Sequence, residues 1–435
     1  MNPLDSNPLA FASSTAAETA PGMAIRSRWF DRLCQTLVLD AFIRMPRGRL
    51  AVRLPDGTTR HFGGAVPGPE AELHLRTPRF FRRGLLHGDV GFGEAYQDGD
   101  WDTPDLAAVL GWFCANVDSA PCMSGSQARD WRLGAMAVVH RIRHVLNRNT
   151  PAGSRRNIRA HYDLGNRFYA LWLDPSMTYS AALFESPDQE LEAAQAAKYE
   201  RLCQQLRLRS GDHVLEIGCG WGGFASHAVR LHGCRVTAVT ISEEQARHAA
   251  ERFAHEGLGD RATVRLQDYR ELTGRFDRIV SIEMLEAVGD RYLDTYFARV
   301  QSLLSRHGRF AAQFITCPDA RHAELRRGVD WIQKHIFPGS LLLSMNRVGQ
   351  AIQRTGDLWL ENLHDFGPDY ARTLRRWRER FHARQQDVLA QGFDARFLRT
   401  WNYYLAYCEA AFAWRNISVV QATWSRPGVG GGGNQ

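Results

Sequence analysis

Apolar runs alternate with amphipathic segments throughout the second half of the chain. The pattern predicts a helix over 187–208 and then five short strands separated by helices. The strands are predicted at 214–217, 236–240, 263–266, 278–282 and 309–315. Such alternation predicts a parallel sheet covered by helices on both faces, and ligands of these sheets bind at the carboxyl ends of the strands.

The first half of the chain predicts a smaller α+β unit. An amphipathic helix precedes a β-hairpin over 50–62, with Asp56 and Gly57 as its turn, and a short strand follows at 71–75. Helical periodicity recurs over 103–116 and 127–146, and the polar segment 147–156 predicts a linker. The predicted division is a disordered tail at 1–25, an accessory domain at 26–150, a larger domain at 155–426 and a flexible tail at 427–435.

Length and composition indicate a globular protein of more than one domain. The chain has 435 residues, of which 44% are apolar and 23% charged. No apolar run approaches the ~18 residues of a membrane span, and the N-terminus lacks the features of a signal peptide. The eight cysteines show no metal-ligand spacing, so we expect reduced thiols and no metal in a cytoplasmic protein.

The net charge of +7 is distributed unevenly, because arginines cluster before residue 160. Such clusters are either ordinary solvated faces or a surface that attracts nucleic acid or anionic phospholipid, and composition alone does not choose. The clustered residues are Arg44, Arg47, Arg49, Arg53, Arg76, Arg79, Arg82, Arg83, Arg132, Arg141, Arg143, Arg148, Arg155, Arg156 and Arg159.

A glycine-rich turn over 218–223 follows the first predicted strand of the larger domain. Glycine allows close backbone approach to a ligand, and the spacing also fits the dinucleotide pattern G-x-G-x-x-G. A dinucleotide site expects a ribose-binding acid about 20 residues further on, but the next strand ends in Thr240 and Ser242. The acid lies instead inside the first strand, at Glu216. The turn therefore favours S-adenosylmethionine over NAD, while a turn without ligand and an NAD-dependent oxidoreductase stay as alternatives.

Polar residues after the third and fourth strands add candidate chemistry. Gln267 and Asp268 can bond an adenine amino group, although Asp268 could equally cap a turn. Glu283 and Glu286 follow the fourth strand, where two carboxylates near one pocket can perform proton chemistry. They could also be acids favoured at a helix N-terminus. We favour Glu286 over Glu283 as the functional acid.

From about residue 157 to 426 the chain resembles the cyclopropane-fatty-acyl-phospholipid synthase family, and the N-terminal part more weakly resembles its bacterial accessory domain. The motif Glu-x-x-Glu-Ala-Val-Gly at 283–289 resembles the branch that includes plant cyclopropane synthases and methyl-branching enzymes. The resemblance implies a Rossmann-like S-adenosylmethionine-dependent methyltransferase sheet with helices on both faces, plus a small N-terminal α+β domain. The resembling segments are 161–166, 177–180, 197–199, 215–223, 239–242 with Gln245, 266–270, 276–281, 283–289, 330–338, 366–370 and 403–408.

The resemblance also implies ligands and partners. The substrate would be an unsaturated acyl chain on a phospholipid, and the basic N-terminal half would hold anionic headgroups at the inner face of the membrane. Nucleic acid is then disfavoured, and a homodimer is left open. The residues implied to surround S-adenosylmethionine are Tyr179, Ser180, Glu216, Gly218, Cys219, Gly220, Trp221, Gly222, Thr240, Ile241, Gln245, Gln267 and Asp268.

The family binds bicarbonate as its catalytic base, and the resemblance places that pocket at Glu286, Gln313, Ile315 and Tyr370. Glu286, Tyr370 and Cys408 are the implied catalytic residues, although no step requires a covalent intermediate on Cys408. Three positions depart from the family: Ala181 replaces a cysteine, and Gln313 and Ala287 replace histidines.

Methyl transfer to an alkene leaves a carbocation, which aromatic rings can stabilise while water is excluded. Loss of a proton from the added methyl closes a cyclopropane, and loss from a neighbouring carbon gives a methylene or methyl-branched alkene. The departures keep a catalytically weak lipid-binding paralogue as a further alternative.

Overall fold

The computed structural model of the protein describes residues 21–119 and 164–427, with side chains from Trp29 onwards. Several predictions lie outside these ranges: most of the N-terminal tail, the helix at 127–146, the linker at 147–156, the C-terminal tail from 428, and the arginines from 132 to 159. The first described helix begins at Pro21, so the predicted tail at 1–25 overlaps it by five positions.

The N-terminal part has three described helices and a four-stranded sheet. The predicted hairpin is confirmed, since β1 and β2 pair antiparallel from Arg53 opposite Thr59. β3 then joins β1 in parallel, and the strand order is β2-β1-β3-β4. The elements are α1 (Pro21–Ile43), β1 (Arg47–Arg53), β2 (Thr59–Gly63), β3 (Val66–Leu75), α2 (Arg79–Gln97), β4 (Trp101–Asp102) and α3 (Leu106–Ala115).

Helix α2 was not expected from the sequence. It is rich in glycine and aromatic residues, and Gly88 interrupts it with φ 54° and ψ −131°. A Cβ at that φ is strained, so the helical period is broken at a position where only glycine is comfortable.

The larger part begins at Gly165 and contains all the strands predicted for it. Its elements are α4 (Asn166–Tyr169), α5 (Leu191–Leu206), β5 (His213–Ile217), α6 (Gly223–His232), β6 (Arg235–Thr240), α7 (Glu243–His255), β7 (Ala262–Leu266), β8 (Phe276–Ile282), α8 (Leu293–Leu303), β9 (Leu304–Thr316), α9 (Asp319–Leu325), α10 (Trp331–His335), α11 (Met345–Thr355), β10 (Trp359–Asp365), α12 (Gly367–Ala383), α13 (Gln385–Ala390), α14 (Ala395–Ala413) and β11 (Ser418–Ser425).

These strands form one seven-stranded sheet in the order β10-β11-β9-β8-β5-β6-β7. The five predicted strands, β5 to β9, are parallel to one another, as expected. The prediction of a purely parallel sheet is wrong, because β11 pairs antiparallel with β9 and β10 pairs antiparallel with β11. Helices pack around the sheet, so the predicted α/β class, a Rossmann-like sheet with helices plus a small N-terminal α+β unit, is confirmed.

One hydrophobic cluster spans the two parts, and two further clusters lie within the larger part. Helix α14 packs against both α2 and α3, and one buried cluster joins Phe92 and Trp112 to Trp331 and Tyr403. No helix within the described ranges is long and apolar enough to cross a bilayer.

Polar contacts reinforce this junction. The Glu94 carboxylate accepts hydrogen bonds from Lys334 at 2.5 Å and His335 at 3.1 Å. Gln97 donates to the Thr400 hydroxyl at 2.8 Å, and the Arg399 guanidinium lies 3.9 Å from the centre of the Tyr96 ring. The accessory part is therefore held against α10 and α14 by apolar burial and by charged hydrogen bonds.

Candidate active site

A cavity of about 480 Å³ opens at the carboxyl ends of β5 to β9. Polar residues line the end beside the sheet, and aromatic and aliphatic residues line the rest. The structure brings nearly all of the predicted site residues to this one cavity. Those that line it are Tyr179, Ser180, Glu216, Gly218, Cys219, Gly220, Trp221, Thr240, Ile241, Gln245, Gln267, Asp268, Glu286, Ile315, Tyr370 and Cys408.

The glycine turn leaves open space on the cavity side. Gly218 and Gly220 have φ values of 82° and 51°, and a Cβ built on Gly220 meets nothing within 4 Å. Gly222 does not line the cavity. Its φ is 85° and a Cβ there would lie 3.0 Å from the Phe253 ring, so close packing against α7 accounts for glycine at that position.

Hydroxyl and amide groups follow the next two strands. The Thr240 hydroxyl donates to the Gln245 side-chain oxygen at 2.8 Å, which holds both at the cavity wall. Asp268 lines the cavity and also caps the turn after β7, accepting from the Arg270 backbone N–H at 3.0 Å and from its guanidinium at 2.6 Å. The capping interpretation of Asp268 is therefore confirmed, and its contact with an adenine amino group stays a prediction.

Two buried ionisable groups lie beside the glycine turn. Lys198 is fully buried and donates to the Ser180 hydroxyl at 2.7 Å, and burial lowers its pKa to about 7. Burial raises the pKa of Glu216 well above its ordinary value, although the Ala225 backbone N–H opposes the shift. One Glu216 carboxylate oxygen has no hydrogen-bond partner among the described residues. An unpartnered acceptor in the cavity wall fits a polar ligand such as S-adenosylmethionine.

Glu283 is the centre of the hydrogen-bond network at the end of β8. One of its carboxylate oxygens accepts from the Ala181 backbone N–H and from the Gln313 side chain, both at 2.8 Å. The other accepts from the Tyr370 hydroxyl at 2.7 Å. Glu283 also lines the cavity. Tyr370 and Gln313 thus donate to Glu283 and not to Glu286, and the predicted bicarbonate pocket around Glu286 stays a prediction.

Glu286 lies in the same cavity wall but has fewer hydrogen-bond donors around its carboxylate. It accepts one hydrogen bond, from the Ile315 backbone N–H at 2.5 Å, and its other carboxylate oxygen has no partner among the described residues. Burial, and then the neighbouring Glu283, raise its pKa to about 8. Burial and Glu283 thus favour the neutral form of Glu286, and Glu283, which accepts three hydrogen bonds, is the better place for the negative charge of the pair.

Cys408 lines the cavity from α14, but burial raises the pKa of its thiol far above its ordinary value. A nucleophilic cysteine requires the thiolate. At neutral pH the group is a neutral thiol in an apolar wall, so the structure does not support the catalytic role implied by the family.

The apolar arm of the cavity extends into the N-terminal part. Met45, Phe92, Leu110, Phe113 and Val117 line it from one side. From the other side α14 contributes tyrosines and a phenylalanine, and the Tyr179 hydroxyl donates to that of Tyr404 at 2.8 Å. The lining residues from α14 are Tyr403, Tyr404, Tyr407, Cys408, Ala411 and Phe412.

Sequence reasoning missed three parts of this site. Glu283 was ranked below Glu286, since only the folded chain shows which carboxylate receives Tyr370. Lys198 was part of a resembling segment but had no assigned role. The contribution of the N-terminal part could not be inferred, because it depends on α2 and α3 packing on α14.

Outside the cavity, Glu200, Cys203 and His232 bring potential metal-ligand atoms within 4.8 Å of one another. His227 and His232 both share hydrogen bonds with the Glu200 carboxylate, at 3.2 and 3.0 Å. These bonds account for the cluster without a metal.

Comparison with known proteins places this architecture among lipid-modifying enzymes. Residues 150–422 match the model of the family described as mycolic acid cyclopropane synthetase. The chain is 38% identical over 412 residues to the tuberculostearic acid methyltransferase UfaA1 of Mycobacterium tuberculosis, covering 90% of this chain and 91% of that protein. It is also 38% identical over 375 residues to the cyclopropane-fatty-acyl-phospholipid synthase of Escherichia coli K12, covering 83% and 89%.

Solved structures that resemble this protein come from the same group of enzymes. The cyclopropane synthase MmaA2 from Mycobacterium tuberculosis is 30% identical with a TM-score of 0.59, covering 62% of this chain and 98% of its own. The mycolic acid cyclopropane synthase CmaA1 complexed with SAH and CTAB is 30% identical with a TM-score of 0.58, with the same coverage. The match to the family model begins at residue 150, so the described N-terminal part lies outside it.

Proposed function

The chain belongs to the mycolic acid cyclopropane synthetase family of S-adenosylmethionine-dependent methyltransferases, and from this premise we propose that it methylates the double bond of an unsaturated phospholipid acyl chain. One observation carries the proposal. A single cavity joins the glycine turn and two half-buried carboxylates, Glu283 and Glu286, to a long apolar arm lined by aromatic rings. An acyl chain fits such an arm, and a site for a small polar substrate would not require it.

S-adenosylmethionine supplies an electrophilic sulfonium methyl group, which a weakly nucleophilic alkene requires. The residues that line the cavity exclude water from around the acyl chain and stabilise positive charge on it. Tyr179, Trp221 and Phe337 line the cavity, and the faces of such aromatic rings interact favourably with a cation. Exclusion of water prevents trapping of that cation as an alcohol.

The proposed product is a cyclopropane acyl chain, formed when the added methyl loses a proton. A methylene or methyl-branched chain is the second candidate, and a specific observation favours it. The residues around the carboxylate pair depart from the family at Ala181 and Gln313, so proton removal is organised differently here. The relative UfaA1, of which the match covers 91%, is named as a tuberculostearic acid methyltransferase.

Purified protein incubated with methyl-labelled S-adenosylmethionine and vesicles of monounsaturated phosphatidylglycerol tests the proposal. We expect label in the acyl chains, with the mass of one added carbon, and mass spectrometry of the released fatty acids identifies ring, methylene or branch. Fully saturated vesicles should give no label. Label confined to headgroups, or equal label with saturated chains, would overturn methylation of the alkene.

We further propose that the N-terminal part binds anionic lipid through one face of β1. The arginines at 76–83 are largely neutralised, since Asp98, Asp100 and Asp102 pair with them at 2.6–2.8 Å. Arg47, Arg49 and Arg53 alternate with buried residues along β1 and are exposed. They outnumber the acids on the neighbouring strand β3, Glu70 and Glu72, so this face has a net positive charge. This supports a peripheral location at the cytoplasmic face of the membrane.

Replacing Arg47, Arg49 and Arg53 by glutamine should weaken binding to anionic vesicles, because each arginine near such a surface contributes about 1 kcal/mol. The control replaces the exposed arginines Arg209, Arg230 and Arg306 of the larger part and should bind as wild type. Sedimentation with vesicles at low and high salt measures the effect. An equal loss of vesicle binding in both variants would contradict a specific binding face. Wild-type binding that does not weaken with added salt would contradict an electrostatic attraction.

A further inference from the structure

We propose that the Glu283 carboxylate is itself the general base that removes the proton from the methylated acyl chain, in place of a bound bicarbonate. The inference rests on the proposed methylation of an alkene and identifies the group that completes it. It follows from the arrangement of donors around Glu283.

Every group expected to hold bicarbonate already serves a carboxylate of the chain. The Tyr370 hydroxyl and the Gln313 amide donate to Glu283, and the Ile315 backbone N–H donates to Glu286. The Ala181 backbone N–H, at the position where the family has a cysteine, donates to Glu283 as well. A bicarbonate would add a further negative charge beside this buried pair, with these donors already occupied. The residues present therefore do not fit a bicarbonate ion.

The same donors favour the ionised form of Glu283, which a base requires. Burial raises the pKa of Glu283, and the hydrogen bonds from Tyr370, Ala181 and Gln313, together with the charge of Lys198, oppose that rise. Glu286, with a single backbone donor, takes the neutral form instead. Two adjacent carboxylates thus divide their roles through the number of donors each receives.

The position of Glu283 is fixed from both main chain and side chain. Its φ is +48°, a left-handed conformation that is uncommon for glutamate. Its backbone N–H donates to the Gln313 carbonyl at 2.7 Å, so the same residue anchors its backbone and its carboxylate. Gln313 is in turn held by Gln421 at 3.0 Å. A strained residue that its surroundings hold this firmly, in the wall of a ligand cavity, is typical of a functional group.

The step balances without a further reactant. The alkene π pair forms a bond to the methyl carbon, the sulfur–carbon bond breaks with its pair on sulfur, and a carbocation remains on the chain. Glu283 then takes a proton, either from the added methyl, whose C–H pair closes the ring, or from a neighbouring carbon, whose pair forms a double bond. Glu283 becomes a neutral carboxylic acid, and it returns its proton to solvent after product release.

Two measurements test the proposal with the full chain. Wild-type turnover of monounsaturated vesicles should be the same in carbonate-depleted buffer and with added bicarbonate. Glu283→Gln keeps the size and the acceptor oxygen of the side chain but cannot take the proton. We expect its kcat to fall by about 10²–10⁴-fold while S-adenosylmethionine affinity is unchanged.

Glu283→Gly provides a readout that a structural role would not give. Glycine accepts a φ of +48° without strain and frees the donors on Ala181, Gln313 and Tyr370. Its turnover should be very low in carbonate-depleted buffer and should rise when bicarbonate is added, in contrast to wild type. A wild-type rate that requires bicarbonate, or a Glu283→Gln rate within a few-fold of wild type, would overturn the proposal.

Failure of the proposed function gives a different result. A wild-type protein that binds S-adenosylmethionine but labels no unsaturated chain in any buffer rejects methylation of the alkene, and with it the base. A wild-type protein that labels chains only with bicarbonate rejects the base alone.

Discussion

Gly220 combines a left-handed backbone, with φ at 51°, and open space where a side chain would begin. That space belongs to the cavity, so a branched side chain would occupy the volume expected for the cofactor. We predict that Gly220→Val abolishes S-adenosylmethionine binding in calorimetry while the protein remains folded.

Gly257 supplies the matched control for this prediction. Its φ is also positive, at 69°, and a Cβ added there would meet no atom within 4 Å. Unlike Gly220, it lies outside the cavity. Gly257→Val therefore introduces comparable backbone strain and should bind the cofactor as wild type. Similar affinities in the two variants would show that the turn does not approach the ligand.

At this scale, much of the site could be predicted from residue order, because a strand, a glycine turn and polar strand ends are local patterns. The roles within the carboxylate pair could not. Glu283 and Glu286 are three residues apart, and which of them receives Tyr370 depends on the start of α12, more than eighty residues later along the chain.

Helix α3 carries residues of the N-terminal part into the apolar arm of the cavity. Cys114 lies there beside Phe113, and a larger side chain would shorten the space for an acyl chain. We predict that Cys114→Phe shifts the preference from 18-carbon toward 16-carbon chains, by about tenfold in relative kcat/KM. Competition between the two chain lengths, followed by mass spectrometry, measures the shift.

Cys114→Ser is the control, since its side chain is of similar size and should leave the chain-length preference unchanged. A Cys114→Phe protein with reduced rates but an unaltered preference would place the end of the acyl chain elsewhere in the cavity.

Most elements near the site could be predicted from periodicity, because β5 to β9 are continuous apolar runs. Strand β10 was missed because it is an exposed edge strand without an apolar face turned inward. Strand β11 was missed because it is buried along its whole length yet contains Gln421 and Thr423, whose polarity hides the run. Gln421 is tolerated there through its bond to Gln313, which no local pattern reveals.

At the scale of the whole molecule, Glu94 links the two parts electrostatically. Hydrogen bonds from His335 and then Lys334 lower its pKa from 4.5 to about 2. A depressed carboxyl pKa stabilises the folded protein above pH 4.5, and the contribution is lost as the pH falls toward 2. We predict that Glu94→Gln lowers the free energy of unfolding at neutral pH by about 1.5–3 kcal/mol.

Thermal unfolding of both proteins between about pH 3 and pH 7 measures this linkage. The difference in stability between wild type and Glu94→Gln should become smaller toward about pH 3. Glu70→Gln, at an exposed side chain of the same domain, serves as the control and should have little effect. A difference between Glu94→Gln and wild type that stays constant across this range would contradict the assigned pKa.

The junction between the two parts has a consequence for how the chain folds. Gln97 and Thr400 are hydrogen-bonded although they lie 303 residues apart in the sequence. Helices α2 and α3 bury apolar side chains against α14. During synthesis the first helices emerge long before their partner exists, so they expose apolar surface to solvent while some three hundred residues are added. Closing so long a loop is slow. Refolding should therefore show a late phase in which α14 docks, and newly made chains should depend on chaperones until it does.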